Sequence, residues 1–235
     1  MWPARLRTRT GRLAASAGWR AGPGRAAHPV DLPKRCLDIG LALSLLLLGL
    51  PIFAVVAAMV RLSGPGPVLL RQLRIGRHEK PFVMFKFRSM HAGASDLALR
   101  EMNGRELRGE AATGASDGIF KLQADPRVTP IGRWLRRFSL DELPQLHNVL
   151  RGEMSLVGPR PSLPWEVELF TPEQRRRHEC LPGLTGLWQV SGRSRLSMPE
   201  MLALDLEYLR TRSLWLDLRI LARTPVQVLC DRSVR

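Results

Sequence analysis

At 235 residues the chain holds one large domain or two small ones, and its formal net charge of +15 calls for an anionic partner: nucleic acid, anionic lipid or a phosphorylated substrate. The three cysteines (Cys36, Cys180, Cys230) are odd in number and lack metal-ligand spacing, which argues against a disulfide or zinc framework and for a reducing compartment. No Walker lysine and no G-x-G-x-x-G fingerprint is present, so the usual phosphate-cradling loops are excluded.

Residues 1–30 carry six arginines and no acid in a Gly-, Ala- and Pro-containing stretch, the composition of a disordered tail. The stretch has neither the apolar core nor the cleavage pattern of a signal peptide, so it is expected to be retained. From Ile39 to Val60 run 22 uncharged residues. As a helix they span roughly 33 Å, enough to cross a hydrocarbon core of about 30 Å. Two features complicate a simple spanning helix. Pro51 lies just past the middle, where it removes a backbone hydrogen bond. Basic residues also flank both ends (Lys34 and Arg35 before; Arg61, Arg71, Arg74 and Arg77 after), which leaves the orientation unset. A helix–break–helix that enters and leaves on one face accounts for both, and sequence physics leaves the two readings level. Asp38 then has to sit at the interface or pair with Lys34 or Arg35.

The cluster Ser63-Gly-Pro-Gly-Pro67 stops any helix. Residues 68–75 and 81–90 read as two strands around a turn at Gly76. A helix is expected over Asp96–Asn103, followed by a mobile loop to residue 118. Ile131–Phe138 reads as a helix that presents Trp134 and Leu135 to the core. Ser139 and Glu142 fit the S-x-x-E capping box, which predicts a helix from Ser139 towards Leu150. Met154–Val157 is a short buried strand, followed by Gly158–Pro161 as a stiff loop. Thr171 caps a helix with Pro172 in its first position. Leu181–Arg193 reads as a Gly-rich loop, and a second capping box, Ser197 and Glu200, opens a helix to about Arg212. Leu214–Leu229 reads as an amphipathic helix, interrupted by Pro225 and suited to a membrane surface.

The chemistry concentrates between Ser139 and Pro161. Asp141 and Glu142 are adjacent, and six arginines lie from Arg127 to Arg160 with Glu153 as the one further acid. Carboxylates among guanidinium groups suit a phosphate-bearing substrate: one carboxylate serves as nucleophile or metal ligand while arginines take phosphate oxygens bidentately. A structural role stays open for each. Acids favour the first turn of a helix, and Glu142 is accounted for as the capping-box partner. Arg160, between two prolines, is either a phosphate ligand on a rigid loop or a solvated arginine; Arg136 is a phosphate ligand or half of a surface ion pair. His147 and Asn148 read as packing and capping residues, and Arg175–Arg177 as a solvated or lipid-facing patch. Without His/Cys clusters, the compatible ion is Mg²⁺ held by one carboxylate and substrate phosphates.

These residues together resemble one family, the bacterial sugar transferases, or monotopic polyprenyl-phosphate phosphoglycosyl transferases. The likeness begins at Lys34-Arg35-Cys-Leu-Asp38 and the apolar run. It continues through SGPGPVLLRQLRIG, FVMFKFRSM, DPRVTPIGRWLRRFSLDELPQLHNVLRGEMSLVGPRP and PGLTGLWQVSGR, and closes on Tyr208 and SLWLDLRIL. It covers residues 33–222 in order, and the chain resembles the minimal catalytic form of the family rather than members with extra N-terminal helices.

The resemblance implies a mixed α/β fold, mainly helical with a small β-sheet, in a monotopic membrane protein with interfacial amphipathic helices. Residues 31–62 would be the re-entrant helix–break–helix and residues 63–235 a catalytic domain on the cytoplasmic face of the bacterial inner membrane. The serine that precedes the breaking proline in the family is Leu50 here, before Pro51. The implied reaction moves a sugar-1-phosphate from a UDP-sugar to undecaprenyl phosphate, the first membrane step of exopolysaccharide, O-antigen, capsule or glycoprotein glycan assembly. Asp141 would be the nucleophile at the β-phosphorus, releasing UMP and forming an aspartyl-phosphosugar intermediate. Glu142 would ligate Mg²⁺, and Arg136 and Arg160 would bind phosphate. Lys34, Arg35, Asp38 and Pro51 would serve the membrane and polyprenyl-phosphate side, and Arg88, Gly186, Gln189 and Arg193 the nucleotide sugar. Glucose, galactose and modified N-acetylated sugars are all compatible donors.

Two other classes compete. A membrane-anchored protein that binds nucleic acid or anionic lipid explains the charge without chemistry, and its steeply salt-dependent binding would survive Asp141→Ala. The resemblance implies no nucleic-acid partner. A catalytically inactive scaffold is the third reading, against which the intact Asp141, Glu142, Arg136 and Arg160 count.

Overall fold

The computed structural model describes residues 31–91, 97–107, 127–192 and 196–230. The basic stretch 1–30, the start of the expected helix at Asp96, residues 108–118 of the expected loop, and Arg193 lie outside them. The described chain is mainly helical with two small two-stranded sheets.

Helix α1 (Asp31–Leu62) is continuous. The helical path runs through Pro51, which deletes one hydrogen bond without dividing the helix into two elements. Its middle is uncovered, with Leu47, Leu48 and Leu50 exposed, while Asp38, Ala42, Val56 and Val60 are buried. A helix this long and apolar is compatible with membrane association. Both of its ends are tied to the rest of the protein. At the start, Lys34 pairs with Asp217 at 2.5 Å, and Arg35 donates to the carbonyls of Val149 and Leu150. Asp38 accepts from the Leu156 amide at 2.9 Å and is buried inside the protein with the Lys34 charge acting on it, rather than lying at the interface. At the far end, Val56 and Val60 pack with Phe87 and Leu135.

Strands β1 (Leu69–Ile75) and β2 (Pro81–Phe87) form an antiparallel hairpin in which Arg74 faces Phe82, Gln72 faces Met84 and Leu70 faces Lys86. Directly opposed residues share a face, so Arg74 and Lys86 lie on the same side of this ribbon. The turn holds His78 and Glu79 at φ 54° and 55°, with the Glu79 carboxylate against Arg175. Helix α2 (Leu97–Leu107) runs four residues beyond the expected end at Asn103.

Helix α3 (Pro130–Arg137) is capped by the Thr129 hydroxyl, which accepts from the Gly132 amide. Leu135 is fully buried as expected, but Trp134 is 44% exposed. Neighbouring residues on a helix point about 100° apart, so the two cannot share one narrow buried stripe. The helix expected from Ser139 does not form in one piece. Ser139 takes φ 54° with no side-chain cap, residues Leu140–Glu142 make a 3-10 turn, and α4 (Gln145–Leu150) starts afresh after Pro144. Proline belongs at a helix start, not its interior, and this preference overrides the capping box. Asn148 does more than cap: buried in α4, its Oδ1 accepts from the Phe85 amide and its Nδ2 donates to the Val83 carbonyl, so it continues the edge of β2.

Strand β3 (Ser155–Val157) pairs in parallel with β4 (Gly183–Thr185), a strand inside the stretch expected to be a loop. A Cβ on Gly183 would stand 2.1 Å from the Gly158 amide nitrogen, so the glycines there permit backbone-to-backbone contact. Helices α5 (Pro164–Leu169), α6 (Pro172–Arg175, capped by Thr171) and α7 (Leu187–Ser191) are short. Helix α8 (Met198–Thr211) carries the expected Ser197–Glu200 capping box. Helix α9 (Leu214–Cys230) passes through Pro225 without interruption; it buries Asp217 and Ile220 while leaving Trp215, Val226 and Leu229 exposed. The main core gathers Leu146, Val149, Leu156, Val157, Tyr208 and Ile220, with Ala42 of α1 joining it.

Candidate active site

A cavity of about 430 Å³ opens where the hairpin, the 3-10 turn, the Gly158–Pro161 loop and β4–α7 meet the two apolar helices α1 and α9. Asp141 and Glu142 line it together with Arg160, Arg74 and Lys86. The 3-10 turn separates the two acids by environment: Asp141 is buried and Glu142 is exposed. The lining also includes an apolar set, Leu41 and Leu45 of α1 and Leu221, Pro225 and Val228 of α9. A charged floor with an apolar flank suits a ligand that carries phosphate at one end and hydrocarbon at the other.

Arg74 and Lys86 were not singled out as site residues from sequence. The signal for them was the strand period: Met84 and Lys86 alternate onto the face that also carries Arg74. Burial disfavours their charge. Burial, with Arg74 beside it, pushes the Lys86 ammonium down to about 8, and Asp141 opposes that shift. Burial, then Arg160, pushes the Arg74 guanidinium down to about 9, which leaves it charged at neutral pH. Three cations held close against a partly apolar wall form a site primed for an anion.

Of the remaining expected residues, Arg136 does not line the cavity; its Nε donates to the Ser89 hydroxyl at 2.9 Å. Gln189 lines it, and Gly186 stands behind it, where a Cβ would meet the Gly158 carbonyl at 2.4 Å. Close packing of backbone therefore requires a glycine at 186. Arg88 also departs from its expected place: it is buried away from the cavity and donates to the carbonyls of Val60, Gly64 and Pro65, capping the end of α1. Lys34, Arg35 and Asp38 face protein partners, and Pro51 lies in the exposed middle of α1. The Arg175–Arg177 patch is only in part a surface: Arg177 is buried and paired with Asp205.

Among the described residues no group of three or more His, Cys, Asp or Glu side chains can hold a metal unaided. The adjacent acids on a cation-rich cavity fit Mg²⁺ all the same, because Mg²⁺ is commonly held by one or two carboxylates together with substrate phosphates. Glu142, the exposed member, is the residue placed to do so.

Comparison with known proteins agrees with this geometry. The family profile described as bacterial sugar transferase matches residues 30–231. The chain is 39% identical to the undecaprenyl-phosphate galactose phosphotransferase of Salmonella typhimurium over 196 residues, covering 83% of this chain and 40% of that one. It is 41% identical to the exopolysaccharide production protein ExoY of Rhizobium meliloti over 212 residues, 88% and 91% of the two chains. It is 42% identical to the UDP-glucose:undecaprenyl-phosphate glucose-1-phosphate transferase of Caulobacter vibrioides over 206 residues, 83% and 69%. Several relatives are about twice as long or longer, and the chain spans 37% to 44% of their length.

Proposed function

The chain belongs to the bacterial sugar transferase family, and from that premise we propose that it moves a sugar-1-phosphate from a UDP-sugar onto undecaprenyl phosphate, releasing UMP. The reaction would open the assembly of an exopolysaccharide, capsule or related glycan. The carrying observation is the cavity itself, in which Asp141 and Glu142 share a floor with Arg74, Lys86 and Arg160 while α1 and α9 supply an apolar wall. A nucleotide sugar needs the first part and a polyprenyl phosphate needs both.

In this reading the Asp141 carboxylate attacks the β-phosphorus of the donor. The bond to the UMP oxygen breaks and UMP leaves with the electron pair, so the phosphosugar is left on Asp141 as an acyl phosphate. A phosphate oxygen of the lipid acceptor then attacks the same phosphorus. The aspartyl oxygen departs, and the carboxylate is restored with the sugar on a polyprenyl diphosphate. Arg160, Arg74 and Lys86 hold the phosphate oxygens in place and offset the charge that builds on them. Burial of Asp141 strips water from the nucleophile and limits hydrolysis of the intermediate. Mg²⁺, held by Glu142 and the diphosphate, would neutralise the leaving group.

We also place the protein on one membrane leaflet, at the cytoplasmic face where UDP-sugars are made, with α1 re-entrant. The support is that both ends of α1 meet the same folded body, through Lys34, Arg35 and Asp38 at one end and Val56 and Val60 at the other. A helix that crossed the bilayer would carry its far end about 30 Å from that body.

The test is Mg²⁺-dependent UMP release by the purified protein in nanodiscs containing undecaprenyl phosphate, across a panel of UDP-sugars. One donor should give turnover and transfer label from its β-phosphate to the protein, and Asp141→Asn should abolish both. Turnover by Asp141→Asn within tenfold of the parent would overturn the mechanism. Single cysteines at Leu32 and Ser63, in a cysteine-free background, should label from the same side; labelling from opposite sides removes the re-entrant arrangement.

A further inference from the structure

Arg160 sits on a loop that cannot hold itself, because Pro159 and Pro161 supply no amide hydrogen. The loop is held from outside, through its carbonyls. Pro159 O accepts from the Gly183 amide at 2.8 Å, Arg160 O from Arg177 Nη2 at 2.9 Å, Pro161 O from Arg74 Nη1 at 3.0 Å and Ser162 O from the Ile75 amide at 2.9 Å. Four successive carbonyls thus meet donors from β4, from the 3-10 turn Arg176–Glu179 and twice from β1.

Arg177 has the most to do. Its Nη1 donates to the Ser162 hydroxyl at 2.9 Å while Nη2 reaches Arg160 O, so one rigid fork spans Pro161. The guanidinium is itself fixed: Nη2 also meets the Asp205 carboxylate of α8 at 2.5 Å, and the Phe170 ring lies 5.5 Å beneath it. Arg177 and Asp205 are both buried, and neither lines the cavity. Burying an arginine is costly unless it is paired and hydrogen-bonded. Nε of Arg177 has no hydrogen-bond partner, but both terminal nitrogens do, and one of their contacts ends on the backbone of the loop residue that lines the cavity with a charge.

We propose that Arg177, anchored by Asp205, is a positioning residue that locks the Arg160 backbone so that its guanidinium meets the substrate diphosphate without searching for its place. The proposal rests on the reading of Arg160 as a phosphate ligand. Preorganisation of this kind is where a displacement of about 1 Å costs on the order of 100-fold in rate.

The test compares Arg177→Lys, Arg160→Ala and the double variant in nanodiscs, by kcat/KM for the donor sugar and by thermal midpoint. Lysine keeps a charge beside Asp205 but cannot span Ser162 Oγ and Arg160 O together. Arg177→Lys should lower kcat/KM roughly 10- to 100-fold while the thermal midpoint moves by only a few degrees. The double variant should be no worse than Arg160→Ala, because Arg177 acts through Arg160. Losses that multiply in the double variant would show Arg177 acting independently and overturn the proposal, as would full activity of Arg177→Lys beside an impaired Arg160→Ala. Full activity of Arg160→Ala would remove the phosphate role and the proposal with it. Should Arg177→Lys unfold, Ser162→Ala removes one arm of the fork with the charges untouched and is read the same way.

Discussion

Gly132 offers the sharpest test of how α3 is seated. A Cβ there would lie 1.9 Å from the Ser89 carbonyl oxygen and 2.8 Å from its Cα, so the obstacle is backbone and cannot swing aside. To regain ordinary van der Waals separation, Gly132→Ala has to move α3 away from Ser89 by roughly 1.5 Å. That displacement stretches the Thr129 amide to Ser89 carbonyl bond (3.1 Å) and the Arg136 Nε to Ser89 hydroxyl bond (2.9 Å), and pulls Leu135 from Phe87, Val56 and Val60. Overpacking costs about 1–3 kcal/mol and the two hydrogen bonds, stretched rather than broken, together about 1 kcal/mol more, so a loss of about 2–4 kcal/mol is expected. In a protein of this size that lowers Tm by about 4–16 °C. Because α3 leads straight into the turn that carries Asp141, UMP release should fall about 100-fold. Gly40→Ala is the control, since nothing lies within 4 Å of its Cβ, and it should leave both readings unchanged. Thermal melting in detergent and the UMP assay measure the two effects. A Gly132→Ala protein that melts within a degree of the parent and turns over normally would refute the seating of α3.

Three further outcomes follow from buried charges. Lys34→Met leaves the buried Asp217 carboxylate with the Tyr208 hydroxyl as donor but without its cation, and should cost about 3–5 kcal/mol, partly recovered by adding Asp217→Asn; a loss below about 1 kcal/mol would show the pair to be inert. Lys86 titrates near 8, so it is charged below that pH and neutral above it. The donor KM should therefore rise more steeply from about pH 7 to 8.5 in the parent than in Lys86→Arg, where Arg74, held down to about 9, is the cation left to titrate, and identical profiles would discount the lysine. His178, packed against Arg177, Arg175 and Glu79, is held down to about 3 by burial and then by Arg177. Its ordinary value is near 6.5, so between those values only the unfolded chain takes the proton. Stability from this residue is complete above about pH 6.5 and falls by a few kcal/mol as pH drops towards 3. Urea titrations at pH 7 and 5 should show this loss in the parent and a smaller one in His178→Gln.

Locally encoded features were legible. The Asp141–Glu142 pair, the stiff Arg160 loop, the Ser197 and Thr171 caps and the long apolar helix each depend on residues within a few positions, and the structure carries them all. The capping box at Ser139 failed where Ser139 takes a left-handed backbone and Pro144, five residues on, starts the helix afresh. What stayed hidden depends on distant partners. Asn148 reads as a cap until β2 lies beside it, and Arg177 reads as surface until Asp205, 28 residues later, folds over it. The β3–β4 pair is three residues per strand and parallel, too short for periodicity to register. Arg74 and Lys86 needed the hairpin register before they shared a wall.

The ties at the start of α1 also set an order of events during synthesis. Asp38 finds the Leu156 amide 118 residues further along, and Lys34 finds Asp217 after 183. At about 5–20 residues per second, a ribosome needs roughly 10–40 s to deliver the second partner. For that interval the apolar helix is complete while its acid and its lysine wait for the ends of their ion pair and hydrogen bond. On the proposed membrane placement, the helix would reach lipid before it reaches its own domain, and the globular part would assemble on a segment already held there.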